Sequence, residues 1–151
     1  MIFDEKRDNF LISTDKAKLD INLIHDYLCN QSYWAAGILF DTVKKSIENS
    51  VCFGLYNSEN QIGFARVITD KATIAYLGDV FVIEPYRGKG LSKWLMECVL
   101  KHPELQGFRR WFLLTKDAHG LYKQYGFAEI HDPQRFLEIW NPDVYKVKES
   151  K

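Results

Sequence analysis

The chain has 151 residues, of which 46% are hydrophobic and 26% charged, and its 20 basic residues balance 20 acidic ones. This length is enough for one domain over 1–151 with a substantial core. The balanced charge leaves no overall field that would attract nucleic acid or an anionic membrane surface. Any site for an anion must therefore be local.

The cysteines and the N-terminus point to the same compartment. Cys29, Cys52 and Cys98 are widely spaced and follow no metal-ligand or disulfide pattern, which favours buried free thiols in a reducing environment. The N-terminus is charged from its fourth residue, and no apolar run approaches the length of a membrane span. These features predict a cytoplasmic protein without a metal.

The first part of the chain has a short apolar run typical of a strand. It is followed by a segment whose leucine and isoleucine residues recur at helical spacing. Short polar turns then separate three strand patterns, so these strands are expected to be antiparallel neighbours. The elements expected up to residue 83 are a strand at 10–15, a helix at 18–30, an aromatic-bearing loop at 31–37, a helix at 41–50 and strands at 51–57, 61–70 and 73–83.

A glycine turn follows, and helical spacing returns at Leu91. The remaining elements expected are a helix from 91 that stops at 102–104, a strand at 109–115, a helix at 118–125 and two closing strands at 127–131 and 135–140. The charged end at 145–151 is expected to be solvated. This order predicts an α+β fold whose mixed, mostly antiparallel sheet has about seven strands and is flanked by about four helices.

The glycine turn has the features of an anion site. A strand stops before Pro85, which cannot donate to a ladder. Arg87, Gly88, Lys89 and Gly90 then lead into a helix. The first backbone N–H groups of a helix have no intrahelical partner and attract anions, and glycines let a ligand approach the main chain closely. The spacing matches neither the GxxxxGK[ST] nucleotide loop nor the GxGxxG dinucleotide fingerprint. Taken alone, the turn is equally consistent with an ordinary tight bend.

Two motifs together give the chain a specific resemblance. "RGKGLS" at 87–92 resembles the (Q/R)xxGxG/A pyrophosphate-binding signature of the GNAT acetyltransferase superfamily, with Ser92 where glycine or alanine is usual. Downstream, Leu121, Tyr122, Gly126 and Phe127 match the superfamily's LYxxxGF pattern. The resemblance covers residues 60–130 most strongly, and it implies a splayed central sheet and acetyl-CoA as co-substrate.

The resemblance also implies a cofactor site. The pyrophosphate would lie on the N–H groups of residues 88–92, with Arg87 and Lys89 beside it. The pantetheine arm would pair with the main chain where two strands splay apart, and a β-bulge near Gly78 would cause the splay. The residues implied in cofactor binding are Phe81, Val82, Ile83, Arg87, Gly88, Lys89, Gly90, Leu91 and Ser92.

Two groups are candidates for proton transfer during attack by an amine. Tyr122 matches the superfamily tyrosine that hydrogen-bonds the CoA sulfur, and a phenol can donate to a forming thiolate. Asp79 lies in the strand of the cofactor cleft and could bind the amine or a water molecule. The alternative is a charged residue at the solvent-exposed end of a strand. Asp117 and His119 are further candidates for the base, with helix capping as their alternative role.

Acceptor recognition is expected from the loop at 31–37, where Tyr33 and Trp34 could embrace an amine or anchor the loop. The expected acceptor is an amine of a small molecule or a protein, with no nucleic-acid or membrane partner. A non-catalytic acyl-CoA-binding module of the same fold is the alternative. The apolar strand pattern at 135–140 could add to a sheet edge or pair two subunits, so a homodimer is possible.

Overall fold

The computed structural model describes residues 1–146, and in it one open sheet carries helices on both faces. The last five residues of the predicted solvated tail lie outside the described residues. The strands are β1 (Asp4–Arg7), β2 (Phe10–Ser13), β3 (Val51–Asn57), β4 (Asn60–Thr69), β5 (Ile74–Val82) and β6 (Arg110–Leu113). The helices are α1 (Ile21–Asn30), α2 (Phe40–Glu48), α3 (Leu91–Lys101) and α4 (His119–Lys123).

The sheet confirms the predicted mixed α+β architecture. Its strands follow chain order from β1 to β6, and every neighbouring pair is antiparallel except β5 and β6. A parallel pair needs a crossover, and α3 supplies it. Within residues 1–146 the sheet has six strands rather than the expected seven.

Alternation along the central strands divides the core between the two faces. On β3, Phe53 and Leu55 pack with α3, whereas Cys52 lies on the opposite face with α1 and α2. The side chains of α3 that pack on the sheet repeat at helical spacing, which confirms the helical pattern predicted from Leu91 onward: Leu91, Trp94, Leu95, Cys98 and Val99. Among the described helices, none has the length and apolar character needed to cross a membrane.

Helix α1 begins later than the predicted residue 18 because Asp20 caps it. Asp20 accepts a hydrogen bond from the Leu23 N–H at 3.0 Å, so the α-helix starts at Ile21. Upstream, Asp15 accepts from the Ala17 N–H at the start of a short 3₁₀ turn. The predicted element is therefore right and its first turn is wrong.

The sequence analysis missed β1 at one end of the sheet. Its four residues, DEKR, are mostly exposed on an edge strand and carry no apolar alternation. These residues form a strand only because they pair with β2. The hydrophobic pattern of the sequence does not indicate this pairing.

The two closing strands predicted at 127–131 and 135–140 are absent. The region is irregular apart from a 3₁₀ turn at Pro133–Arg135, and its residues have no strand partner within residues 1–146. A segment with strand-forming residues needs an adjacent strand to accept and donate its backbone hydrogen bonds. Without that adjacent strand it does not form one itself.

Candidate active site

A gap opens where β5 and β6 separate. The two strands pair only from Ile74 with Arg110 to Leu77 with Leu113. Beyond Leu77, β5 continues to Val82 beside β4, while the chain after β6 turns away toward α4. The result confirms the expected splay of the sheet.

A β-bulge lies at the point of separation, as predicted near Gly78. Phe64 and Arg66 on β4 face Phe81 and Gly78 on β5, so β5 carries one extra residue there. Asp79 takes up the extra length with a φ of 54°. A left-handed conformation at a non-glycine residue is strained by about 1 kcal/mol or more. The bulge therefore turns Asp79 to a position that regular pairing would not give it.

The glycine turn leads from β5 into α3 with its N-terminal N–H groups uncapped. Gly90 is the N-cap residue of α3 with a φ of 75°, and Gly88 has a φ of 78°. Among the described residues, no side chain caps this helix, and a Cβ at either glycine would meet none of their atoms within 4 Å. The turn is thus shaped by backbone conformation and opens toward space that an anion can enter.

Arg87 points back to the strand rather than into the turn. Its Nε donates to the Val82 carbonyl at 2.9 Å, and its guanidinium also donates to the Tyr27 hydroxyl at 3.0 Å. The Tyr27 ring stacks on Phe81 with centroids 3.9 Å apart. Arg87 therefore ties the turn to β5 and α1, while Lys89 is exposed.

The remaining residues expected to bind the cofactor lie around this turn. Phe81 and Val82 are buried at the end of β5, and the Ile83 N–H donates to Ile62 on β4. Val82 turns its carbonyl away from β4, as its contact with Arg87 shows. Leu91 is buried in the core and Ser92 is half-buried, so Leu91 can offer a ligand only its backbone.

Tyr122 is buried on α4, and its hydroxyl has no hydrogen-bond partner among residues 1–146. It lines a cavity of about 730 Å³ between β6, α4 and the chain after α4. Burial raises the pKa of Tyr122 to about 12, with smaller contributions from Tyr33 and Asp117. The phenol is therefore a proton donor at neutral pH. Tyr125 differs, because its hydroxyl donates to the Lys93 carbonyl and packs α4 on α3.

The loop at 31–37 bridges the gap between the separated strands. The Trp34 indole Nε1 donates to Asp79 Oδ1 on β5 at 2.8 Å, and the Tyr33 hydroxyl accepts from the Lys116 N–H beyond β6 at 2.9 Å. The two rings meet edge to face with centroids 5.1 Å apart. Both rings stay partly exposed, so the loop is anchored at two points and still offers an aromatic surface.

Asp79 is held by an ion pair that the sequence analysis missed. Arg66 Nε donates to Asp79 Oδ2 at 2.8 Å, and the two side chains are only 15% and 11% exposed. Arg66 NH1 also donates to Ser50 Oγ at 3.0 Å. The available signal was an arginine inside the apolar strand pattern 61–70, because a buried charge requires a partner.

The other candidates lie at the edge of this arrangement. Asp117 and His119 are exposed, and neither caps α4, whose N-cap residue is Ala118. Thr115 Oγ1 accepts from the Ala118 N–H instead. Across residues 1–146, no group of three His, Cys, Asp or Glu side chains is placed to hold a metal ion.

Comparison with known proteins agrees with this geometry. The sequence model described as "Acetyltransferase (GNAT) domain" matches residues 48–129, more than half of the chain. The chain belongs to the GNAT acetyltransferase family. The match begins just before β3 and ends beyond α4, so it contains the bulge, the glycine turn and Tyr122. This GNAT protein is accordingly an acyltransferase.

Relatives extend the similarity across most of the GNAT chain. A protein of Gibberella zeae, named only as an acetyltransferase, is 32% identical to this chain. The alignment is 149 positions long and covers 83% of each chain. A solved GNAT-family acetyltransferase of Xanthomonas campestris is 48% identical with a TM-score of 0.90, covering 91% of this chain and 97% of that one. An acetyltransferase of Clostridium acetobutylicum, solved with acetyl-CoA, shares the fold at 15% identity and a TM-score of 0.60, covering 92% of this chain and 96% of that one.

Proposed function

We propose that this protein is an acetyl-CoA-dependent N-acetyltransferase that moves the acetyl group directly to a primary amine of a small molecule or a protein. The observation that carries the proposal is Tyr122, a buried phenol that no described protein group binds and that lines an open cavity. A ligand that enters this cavity can therefore reach the Tyr122 hydroxyl.

The turn before α3 fits the pyrophosphate of acetyl-CoA. A Cβ at Gly88 or Gly90 would meet no atom of the described residues within 4 Å, so the turn has room for a ligand, and Lys89 adds an exposed cation. We propose that the N–H groups of residues 88–92 hold the pyrophosphate. Arg87 is the second cation in reach of the turn, but it now binds Val82 and Tyr27. A shift of Arg87 toward the pyrophosphate would free the Val82 carbonyl for the pantetheine arm, beside Phe81 and Ile83.

The chain supplies two groups for proton transfer. Acetyl-CoA brings the thioester; the amine nitrogen bonds to its carbonyl carbon, the carbon–sulfur bond breaks, and the amine loses a proton. Tyr122 donates its proton to the sulfur as the carbon–sulfur bond breaks. Asp79 accepts the proton that the amine loses, because its oxygens each hold one hydrogen bond and a carboxylate has about four acceptor sites. The products are the amide and the free CoA thiol, and proton exchange with solvent then restores both side chains.

The acceptor binds against the loop that bridges the gap. Tyr33 and Trp34 present exposed aromatic surface next to Asp79. On the adjoining strands, Tyr76 of β5 and Phe112 of β6 meet edge to face with centroids 4.8 Å apart. Such rings favour an alkyl or aryl amine, or its cation before it loses a proton. We propose neither nucleic acid nor membrane as partner. The three free cysteines support a cytoplasmic setting, and a homodimer is part of the proposal.

Release of free CoA thiol from acetyl-CoA, measured across a panel of primary amines, tests the proposal. Acetyl-CoA binding is measured alongside as a ligand-dependent shift in melting temperature. Amine-dependent thiol release supports an N-acetyltransferase. Binding without release for any amine would favour a non-catalytic acyl-CoA-binding module, and no binding would contradict the proposed use of the glycine turn.

A further inference from the structure

The C-terminal segment exposes an unusual amount of apolar surface. Leu137 is 97% exposed and Trp140 is 74% exposed, and Ile139 between them is fully exposed. Single exposed apolar residues are ordinary, but a contiguous exposed group marks an interaction surface. Residues 136–140 therefore look like one half of an interface.

Contacts within the chain anchor the segment that contains residues 136–140 at both of its ends. At its start, the Arg110 guanidinium lies 4.8 Å from the centroid of the Phe136 ring. Farther on, Tyr145 packs on the cluster beneath α1 and α2, and its carbonyl lies against Gly37. The segment is held at both ends, while the side chains between these anchors face outward.

The complementary half lies at β6. This strand ends the sheet, so the edge away from β5 has no strand partner within residues 1–146. Leu114, which follows β6 directly, is 79% exposed, and the cavity of about 730 Å³ lies alongside. An open edge with an apolar surround is a template for another strand.

We infer that a second copy of this chain covers β6, and that residues 136–140 of each copy add as a strand to the β6 edge of the other. Each chain carries both the open edge of β6 and the segment 136–140. In a dimer with two-fold symmetry, each segment can therefore pair with the β6 edge of the other chain. The strand pattern at 135–140, which has no strand partner among residues 1–146 of its own chain, would then form a strand between subunits.

The two surfaces match in pattern and charge. Alternation puts Leu137 and Ile139 on one face of the segment, suited to Trp111 and Leu113 of β6. The opposite face carries Glu138, the acidic residue of the pattern, and β6 begins at the cation Arg110, directly after Arg109. An antiparallel pairing brings Glu138 of the partner subunit toward this basic end.

The available area is also sufficient. Seven large apolar side chains are exposed between residues 114 and 144: Leu114, Ile130, Phe136, Leu137, Ile139, Trp140 and Val144. Their exposed area is on the order of the 800 Å² that each partner buries in a standard interface. This inference concerns assembly and does not depend on which acceptor is used.

The test measures mass and hydrogen exchange on the full chain. Light scattering is expected to give twice the 17.7 kDa of one chain, and the Ile139→Lys variant should dissociate at least about 100-fold more readily, because a buried unpaired ammonium is costly. Ile139 is fully exposed in the single chain, so the variant should fold normally. Ile2→Lys, at an exposed isoleucine near the β1 edge, is the matched control and should remain dimeric.

Hydrogen exchange locates the interface. Amides 110–114 should exchange slowly in the wild-type dimer and faster in Ile139→Lys. A wild-type monomer would overturn the inference. So would an Ile139→Lys variant that stays dimeric, or equal protection of these amides in monomer and dimer.

Discussion

The indole of Trp34 donates a hydrogen bond to the Asp79 carboxylate across 45 residues of sequence, at 2.8 Å. This contact joins the loop after α1 to the bulge in β5, while Tyr33 joins the same loop to the chain beyond β6. The loop thus bridges the gap without entering the glycine turn. Acceptor binding and cofactor binding should therefore respond to different substitutions.

Trp34→Phe should raise the KM for the amine about tenfold and leave the affinity for acetyl-CoA nearly unchanged. The variant keeps an aromatic ring and loses one hydrogen bond to a charged acceptor, which is worth about 1.5–3 kcal/mol. Steady-state kinetics and calorimetric binding of acetyl-CoA separate the two effects. An equal loss of acetyl-CoA affinity would show that the loop also shapes the cofactor site.

Arg66→Met should destabilise the protein by about 2–4 kcal/mol, because it leaves the mostly buried Asp79 carboxylate without its cation. The double variant Arg66→Met with Asp79→Asn should recover part of that loss. Urea unfolding measures all three proteins. If the single and double variants lose the same stability, the ion pair contributes little and the methionine acts through packing.

Gly90→Asp should weaken acetyl-CoA binding at least about tenfold, because a carboxylate would stand beside uncapped N–H groups proposed to hold an anion. Gly90→Asn is the matched control, since asparagine is similar in shape, tolerates positive φ and carries no charge. Thermal shift with acetyl-CoA measures both. Equal binding by the two variants would mean that the pyrophosphate lies elsewhere.

Tyr122→Phe should lower kcat about 100-fold with little change in KM, as expected for loss of a proton donor. Tyr125→Phe is the control, because the Tyr125 hydroxyl contacts the Lys93 carbonyl. In the wild type, a pKa of about 12 keeps Tyr122 protonated, so its ionisation should not reduce activity between pH 8 and 10. Thiol release in the two variants, followed over that pH range, tests the assignment.

The same tyrosine predicts a change of stability at high pH. Its pKa is about 12 in the folded protein against 10 for the free phenol, so its contribution is complete below pH 10 and is lost as pH rises toward 12. Wild type should lose about 1–3 kcal/mol more than Tyr122→Phe across this window. Parallel loss in both proteins, measured by urea unfolding, would contradict the buried environment of the phenol.

Tyr56→Phe should stabilise the protein by about 1 kcal/mol, because the Tyr56 hydroxyl is buried and no group in residues 1–146 hydrogen-bonds to it. Burial also raises the pKa of this phenol. Tyr27→Phe should instead destabilise the protein by about 1 kcal/mol, since the Tyr27 hydroxyl accepts from Arg87. Chemical denaturation of the two variants should give shifts of opposite sign.

Much of the fold follows from patterns within short stretches. Strands β3 to β5 and the apolar spacing of α3 match the expectations from these patterns. The bulge near Gly78 matches what the family resemblance implied. The missed β1 has no apolar pattern, and the absent C-terminal strands have the pattern without a neighbour. Strand formation depends on pairing, which local sequence does not contain.

The sequence by itself determined the glycine turn and the family, because positive φ values, helix starts and motif spacing depend on neighbouring residues. Tertiary structure alone decided that Asp79 binds Trp34 and Arg66, and that Arg87 binds Val82 and Tyr27. Most of these contacts join residues far apart in the chain, and they form only because the folded sheet and helices bring the partners together. The physical reason is that a buried charge or polar group takes whichever partner the fold provides.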